Sequence, residues 1–149
     1  MRIIGVVCLS LASVVMLTGC DHITALKGSL QLKELGPADA AELAGMSFDP
    51  GAKVTVRGRV TTLFFGEPGA TGMMIVHTAD EAQQYAFSTS STKELAGQGF
   101  SRFSVGPGEE VMVTGVTTRD GKKLRGFTAA RADSISKADG KKLYDRPIN

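Results

Sequence analysis

The stretch Pro107-Gly-Glu-Glu-Val-Met-Val-Thr-Gly115 repeats a frame already used at Pro50-Gly-Ala-Lys-Val-Thr-Val-Arg-Gly58. Both read P-G-x-x-V-x-V-x-G. In each, valines alternate with other residues, the period-two pattern of a strand with one apolar face. Pro-Gly at each start suits the two central positions of a type II turn, the second of which has positive φ. The closing glycine lets a strand kink or bulge without a Cβ clash. Nothing outside the frame matches, so one mechanical job written twice explains it better than a duplication.

Outward from these frames, period two continues. Val54, Val56 and Val60 mark a first strand, Gly72–Thr78 a second, and Gln84–Thr89 a third with Tyr85 and Phe87 on one face. Ser91-Thr-Lys-Glu94 has capping-box spacing and predicts a short helix ending by Gly97 or Gly99. Glu110–Thr118 is a fourth strand, Arg119-Asp-Gly-Lys122 a two-residue hairpin turn, and Lys123–Arg131 the returning fifth. Upstream, Pro37–Ala44 reads as a short helix opened by proline and stopped by Gly45. Lys137–Asn149 reads as a solvated tail. Three strands, a short helix and two strands is the order of an all-β, five-stranded Greek-key OB-type barrel. In that barrel the first and fourth strands, which carry the two frames, lie side by side.

The V-x-V-x-G first strand, the apolar run of the second and the G-x-x-V-x-V-x-G fourth resemble bacterial OB-fold lipoproteins. The pattern is similar to the family called tRNA-anticodon-binding-like, over Pro50 to about Ile135. That family name records a likeness of fold, so the resemblance implies a barrel and not tRNA binding.

The N-terminus carries an address. Arg2 precedes an uncharged run, Ile3–Leu17, shorter than the ~20 residues of a membrane-spanning helix. Leu17-Thr-Gly-Cys20 closes it and resembles the bacterial lipobox. The resemblance implies cleavage after Gly19, a diacylated Cys20 thiol and an acylated Cys20 amine. One chain binds a bilayer only marginally, whereas the three that the resemblance implies hold for good. Asp21 matches the residue that keeps enterobacterial lipoproteins in the inner membrane, which implies the periplasmic face of that membrane. The expected organisation is a signal peptide (1–19), a lipidated tether with a short helix (20–49), the barrel (50–136) and a tail (137–149). Leu30, Leu32 and Leu35 are tether residues able to pack on the domain.

Composition excludes several classes. With Cys8 removed and Cys20 lipidated, no thiol pair remains for a disulfide, a thiolate zinc site or a C-x-x-C redox motif. Losing Arg2 leaves 16 basic against 15 acidic residues, so no overall charge draws the domain to nucleic acid. No G-x-x-x-x-G-K-[ST] or G-x-G-x-x-G phosphate loop occurs.

A polyanion site on this fold would stack bases on the outer face of the second and third strands beside a basic groove. Arg57, Arg59, Arg119, Lys122, Lys123 and Arg125 could supply the charge, unless they form a solvated face paired with Glu109 or Glu110. Tyr85 and Phe87 share a face that the core requires. Met73, Met74 and His77 have the soft donors that suit Cu(I), but adjacent methionines point to opposite faces of a strand. A periplasmic OB-fold copper-chaperone family uses His, Met and Trp, and this chain has no tryptophan. His77, Asp80, Ser88 and Ser90 lack the framing of a catalytic triad. Phe64, Phe65, Phe100 and Phe103 lie in or beside loops; Phe100 and Phe103 are expected to plug one end of the barrel.

The expectation is therefore a non-catalytic, membrane-anchored periplasmic interaction module. Its partners would be the bilayer, through the Cys20 lipid, and another envelope protein, not nucleic acid. It needs no cofactor beyond the lipid and no metal. The alternatives are an OB-fold binder of a polyanion (oligonucleotide or oligosaccharide) or small ligand, and a copper carrier.

Overall fold

The computed structural model describes residues 35–80 and 82–148. The expectations for the signal segment, Cys20, Asp21, Leu30 and Leu32 lie outside the described residues. The chain divides into the units Met1–Leu35 and Gly36–Asn149, and the second is described below. Its elements are α1 (Pro37–Ala44), β1 (Phe48–Phe64), β2 (Thr71–Thr78), β3 (Gln84–Ser91), α2 (Thr92–Gly97) and β4 (Glu110–Thr118), then β5 (Lys123–Leu124), β6 (Phe127–Lys137) and β7 (Lys142–Asp145). The fold of the described residues is mostly β, with all seven of their strands in one sheet.

The two repeated frames pair with each other. In the antiparallel β1–β4 ladder Val54 faces Gly115, Val56 faces Val113 and Gly58 faces Val111. A local twofold through Val56 and Val113 thus relates them. Each closing glycine lies against the backbone of another strand. A Cβ on Gly58 would fall 2.0 Å from the His77 carbonyl oxygen in β2, and one on Gly115 would fall 2.0 Å from that of Arg131 in β6. Close backbone approach is what requires glycine here.

The starts of the frames differ. Gly106–Glu109 is a Pro-Gly turn of the expected kind, with Gly108 at φ 86° and the Glu109 N–H donating to the Gly106 carbonyl at 3.1 Å. Pro50-Gly51 instead lies within β1, where the pairing slips between Phe48 and Lys53. There Asp49 Oδ1 accepts the Gly51 N–H at 2.9 Å, so a carboxylate caps a bulge where a turn was expected.

Two further expectations need correction. β4 pairs with β6, and the two-residue hairpin joins β5 to β6 through Arg125 and Gly126, at φ 47° and 89°. Positive φ at both positions is the type I′ requirement. The Asp120-Gly121 signal is used for a connecting turn, in which the Gly121 N–H donates to the Thr118 carbonyl at 3.2 Å. Arginine at positive φ costs about 1–2 kcal/mol, and Arg125 Nε is held 2.7 Å from Oδ1 of the buried Asp39. The second correction concerns 137–149. β7 pairs with β6, and Tyr144 is 1% exposed, so Lys142–Asp145 belongs to the sheet and Tyr144 to the core.

Remaining pairings are antiparallel for β1–β2 and β2–β3, and parallel for β3–β6. One apolar cluster joins Val56, Val60, Met74, Val76, Phe87, Val111, Val113, Ile135 and Tyr144. Met73, Ile75 and Ala86 are equally buried but lie outside that cluster. Strand alternation puts them on the opposite face. α1 packs against β2, β3 and β6, and buries Ala40 and Leu43 there.

Candidate interaction site

Three of the basic residues named from sequence are engaged in ion pairs. Arg57 pairs with Glu110, Arg119 with Asp49 at 3.3 Å and Arg125 with Asp39 at 2.7 Å. Exposed Arg59 lies on β1, while Lys122 follows the turn after β4. The Gly51 N–H and then the Arg119 guanidinium lower the Asp49 pKa. These arginines thus serve cross-strand, bulge and helix-docking contacts. The face on which bases would stack is also taken: Ala40 and Leu43 of α1 pack on the β2–β3 side that carries Met73, Ile75 and Ala86.

Met73 and Met74 are both fully buried, and only Met74 joins the central cluster, so their sulfurs occupy different faces. Among the described residues no group of three or more His, Cys, Asp or Glu could hold a metal ion. His77 faces Gln84 across the β2–β3 ladder, six residues along β3 from Ser90. At ~3.3 Å rise per residue these ends are about 20 Å apart. Asp80 is engaged locally: the Thr78 hydroxyl, first, and the Ala82 N–H hold its pKa below the usual carboxylate value. The His77, Asp80 and serine constellation is therefore not assembled.

The loop aromatics behave differently. Phe100 is 1% exposed and plugs the core as expected, its ring 5.9 Å from that of half-buried Phe65. Phe103 was expected to do the same, yet it is 89% exposed. The reason is a small turn. The Ser104 N–H donates to the Ser101 carbonyl at 3.0 Å, Ser104 Oγ accepts from the Ser101 N–H at 2.9 Å, and Ser101 Oγ accepts from the Phe103 N–H at 3.2 Å. Buried Phe100 and Val105 anchor the turn on both sides, so Phe103 sits at its tip and points away. The Arg102 guanidinium lies 5.8 Å from the Phe103 ring centroid, within cation–π range.

Beside this tip is a cleft of about 570 Å³ lined by Leu63, Phe64, Phe65, Pro68, Phe100 and Arg102, among others. Its other wall is fastened to α2, where Thr92 Oγ1 donates to the Gly66 carbonyl at 3.0 Å and the Thr92 N–H to that of Ala70, also at 3.0 Å. That Phe64 and Phe65 lie in or beside a loop was legible in sequence. The exposure of Phe103 was not, because a lone loop phenylalanine carries no sign of whether it turns inward.

A second, charged depression lies where β3, β6 and the C-terminal segment meet. Clefts of about 610 and 380 Å³ share Ser90, Glu94, Arg131 and Arg146. Ser90 Oγ hydrogen-bonds the Tyr144 hydroxyl, and burial raises the Tyr144 pKa, partly offset by the Ser90 contact. Sequence reading missed this cleft because Arg131 closes a strand while Arg146 falls in a segment that reads as a solvated tail.

Among the described residues, then, the molecule is mostly β and built on a seven-stranded sheet. It belongs to a family of unknown function, DUF6152, which matches residues 32–127. No curated protein matches it. No helix among the described residues is long and apolar enough to cross a membrane.

Proposed function

We propose that the chain is a non-catalytic interaction module, held by a lipid on Cys20 at the periplasmic face of the inner membrane. The Leu17–Cys20 pattern and Asp21 support the anchor and its side. The domain is read as a five-stranded OB-type Greek-key barrel. Supporting this is the ring of pairings β1–β2–β3–β6–β4–β1, with β3–β6 the parallel step. β5 and β7 are additions to that ring.

The observation that carries the interaction reading is Phe103. An aromatic ring held in water by a pinned turn, flanked by a guanidinium and an apolar cleft, has the composition of a protein-binding hot spot. The occupant that fits is a polypeptide with an apolar side chain for the cleft and a neighbouring carboxylate for Arg102. The test uses full-length protein extracted from membranes in mild detergent. Intact mass should show Cys20 at the new N-terminus with three acyl chains. A co-purifying envelope protein should be retained by wild type and lost with Phe103→Ala and with Arg102→Glu. An unmodified thiol would overturn the anchor. A partner retained by both variants would overturn the site.

A further inference from the structure

We propose that the charged cleft is a binding site for a small zwitterion, an amino acid or the end of a short peptide. It shares no lining residue with the apolar cleft beside Phe103, so it stands or falls independently of the interaction reading.

The argument is one of charge left over. Two guanidinium groups share one carboxylate: Asp133 Oδ1 lies 3.2 Å from Arg131 Nε and 3.7 Å from Arg146 Nε. Arg146 Nε also donates to the Ala132 carbonyl at 3.0 Å, and its Nη2 lies 3.5 Å from the Ser88 carbonyl. For Arg131 only Nε is engaged among the described residues. Among the described residues one positive charge is therefore unmatched at this wall, with an Arg131 fork able to take a carboxylate in bidentate fashion.

Of the acids lining the cleft, Asp145 is paired with Lys142 Nζ at 2.9 Å. Gln98 clamps its backbone, donating to the Asp145 carbonyl at 2.7 Å and accepting its N–H at 2.9 Å. Glu94 lines both parts of the cleft and has no ion pair among the described residues. The cleft is thus dipolar, cationic at Arg131/Arg146 and anionic at Glu94. Buried Ser88, Thr89 and Ser90 lie at 4% exposure or less, and Ala44, Met46 and Phe48 add an apolar wall. Partial burial of Arg131 and Arg146 strengthens charge recognition at the cationic end relative to open water, while Glu94 is exposed. A carboxylate at Arg131, an ammonium at Glu94 and an apolar side chain against Met46 and Phe48 match every part of it.

Calorimetry on the full-length protein in detergent tests this with L-leucine, alanyl-leucine, N-acetyl-leucine and leucine amide. L-Leucine or alanyl-leucine should bind with Kd of about 1 mM or tighter, and which of the two binds separates free amino acid from peptide end. Removing either charge from the ligand should weaken binding about tenfold. Arg131→Gln should weaken the zwitterion by a similar factor, and Glu94→Gln should weaken it while leaving N-acetyl-leucine unchanged. Both variants should melt with wild type. No binding by either zwitterion, equal binding of N-acetyl-leucine, or affinity unchanged in folded variants would overturn the proposal.

Discussion

Two surfaces of this domain treat apolar side chains in opposite ways. On the outer side of β2 and β3, Met73, Ile75 and Ala86 would face water were they not covered by Ala40 and Leu43 of α1. At the tip after α2, Phe103 is 89% exposed although its neighbours Phe100 and Val105 are buried. The difference lies in what holds each segment. α1 is fixed by burial and by Asp39, which accepts the Gly36 N–H at 2.8 Å and pairs with Arg125. The tip is fixed by serine hydrogen bonds that hold the ring outward. One surface is closed to ligands and the other is presented.

The largest effect should come where the surfaces share support. Gly58→Ala drives a Cβ into the His77 carbonyl and should cost about 3 kcal/mol or more, read as a lower urea midpoint that takes both surfaces with it. Leu43→Ala separates them. It removes a fully buried side chain and should cost about 2–5 kcal/mol, while binding at the Phe103 tip survives in the folded fraction. Asp39→Ala removes the helix-start acceptor and one Arg125 partner together, at about 1–3 kcal/mol, with faster amide exchange at α1 and the β5–β6 turn.

Acid should act more weakly on the turn joining β2 to β3. Asp80 has a lowered pKa, so its contribution is present above the normal carboxylate pKa. It is lost as pH falls through the lower folded value. Asp80→Asn should flatten that limb of a stability–pH profile. Phe103→Ala should be the smallest change, within about 0.5 kcal/mol in stability, yet it should abolish partner retention. A large stability loss there would mean that the ring packs and is not presented.

Much of this fold is legible in the residues. The twin P-G-x-x-V-x-V-x-G frames announce two adjacent strands because alternation and a closing glycine both follow from backbone geometry, and Val56 does face Val113. The Ser91 cap is equally direct, its Oγ accepting the Glu94 N–H at 3.3 Å. What escapes is set by tertiary partners. Arg125-Gly126 is a poor turn signal beside Asp120-Gly121 until the Asp39 partner is known. β7 is short and highly charged, and only its pairing with β6 draws Tyr144 inside. The site was less legible than the fold. The four loop phenylalanines were singled out, but their local sequence does not separate buried Phe100 from exposed Phe103. Arg131, Glu94 and Arg146 come from three distant segments and meet only through the sheet.

Placing a benzoylphenylalanine photo-crosslinker at position 103, and in parallel at exposed Glu42 on α1, tests the contrast between the presented and the closed surface most directly. Irradiation in intact cells should give a discrete protein adduct from position 103 and none from position 42. Lipid adducts alone at 103, no adduct there, or the same products from both positions would contradict the account.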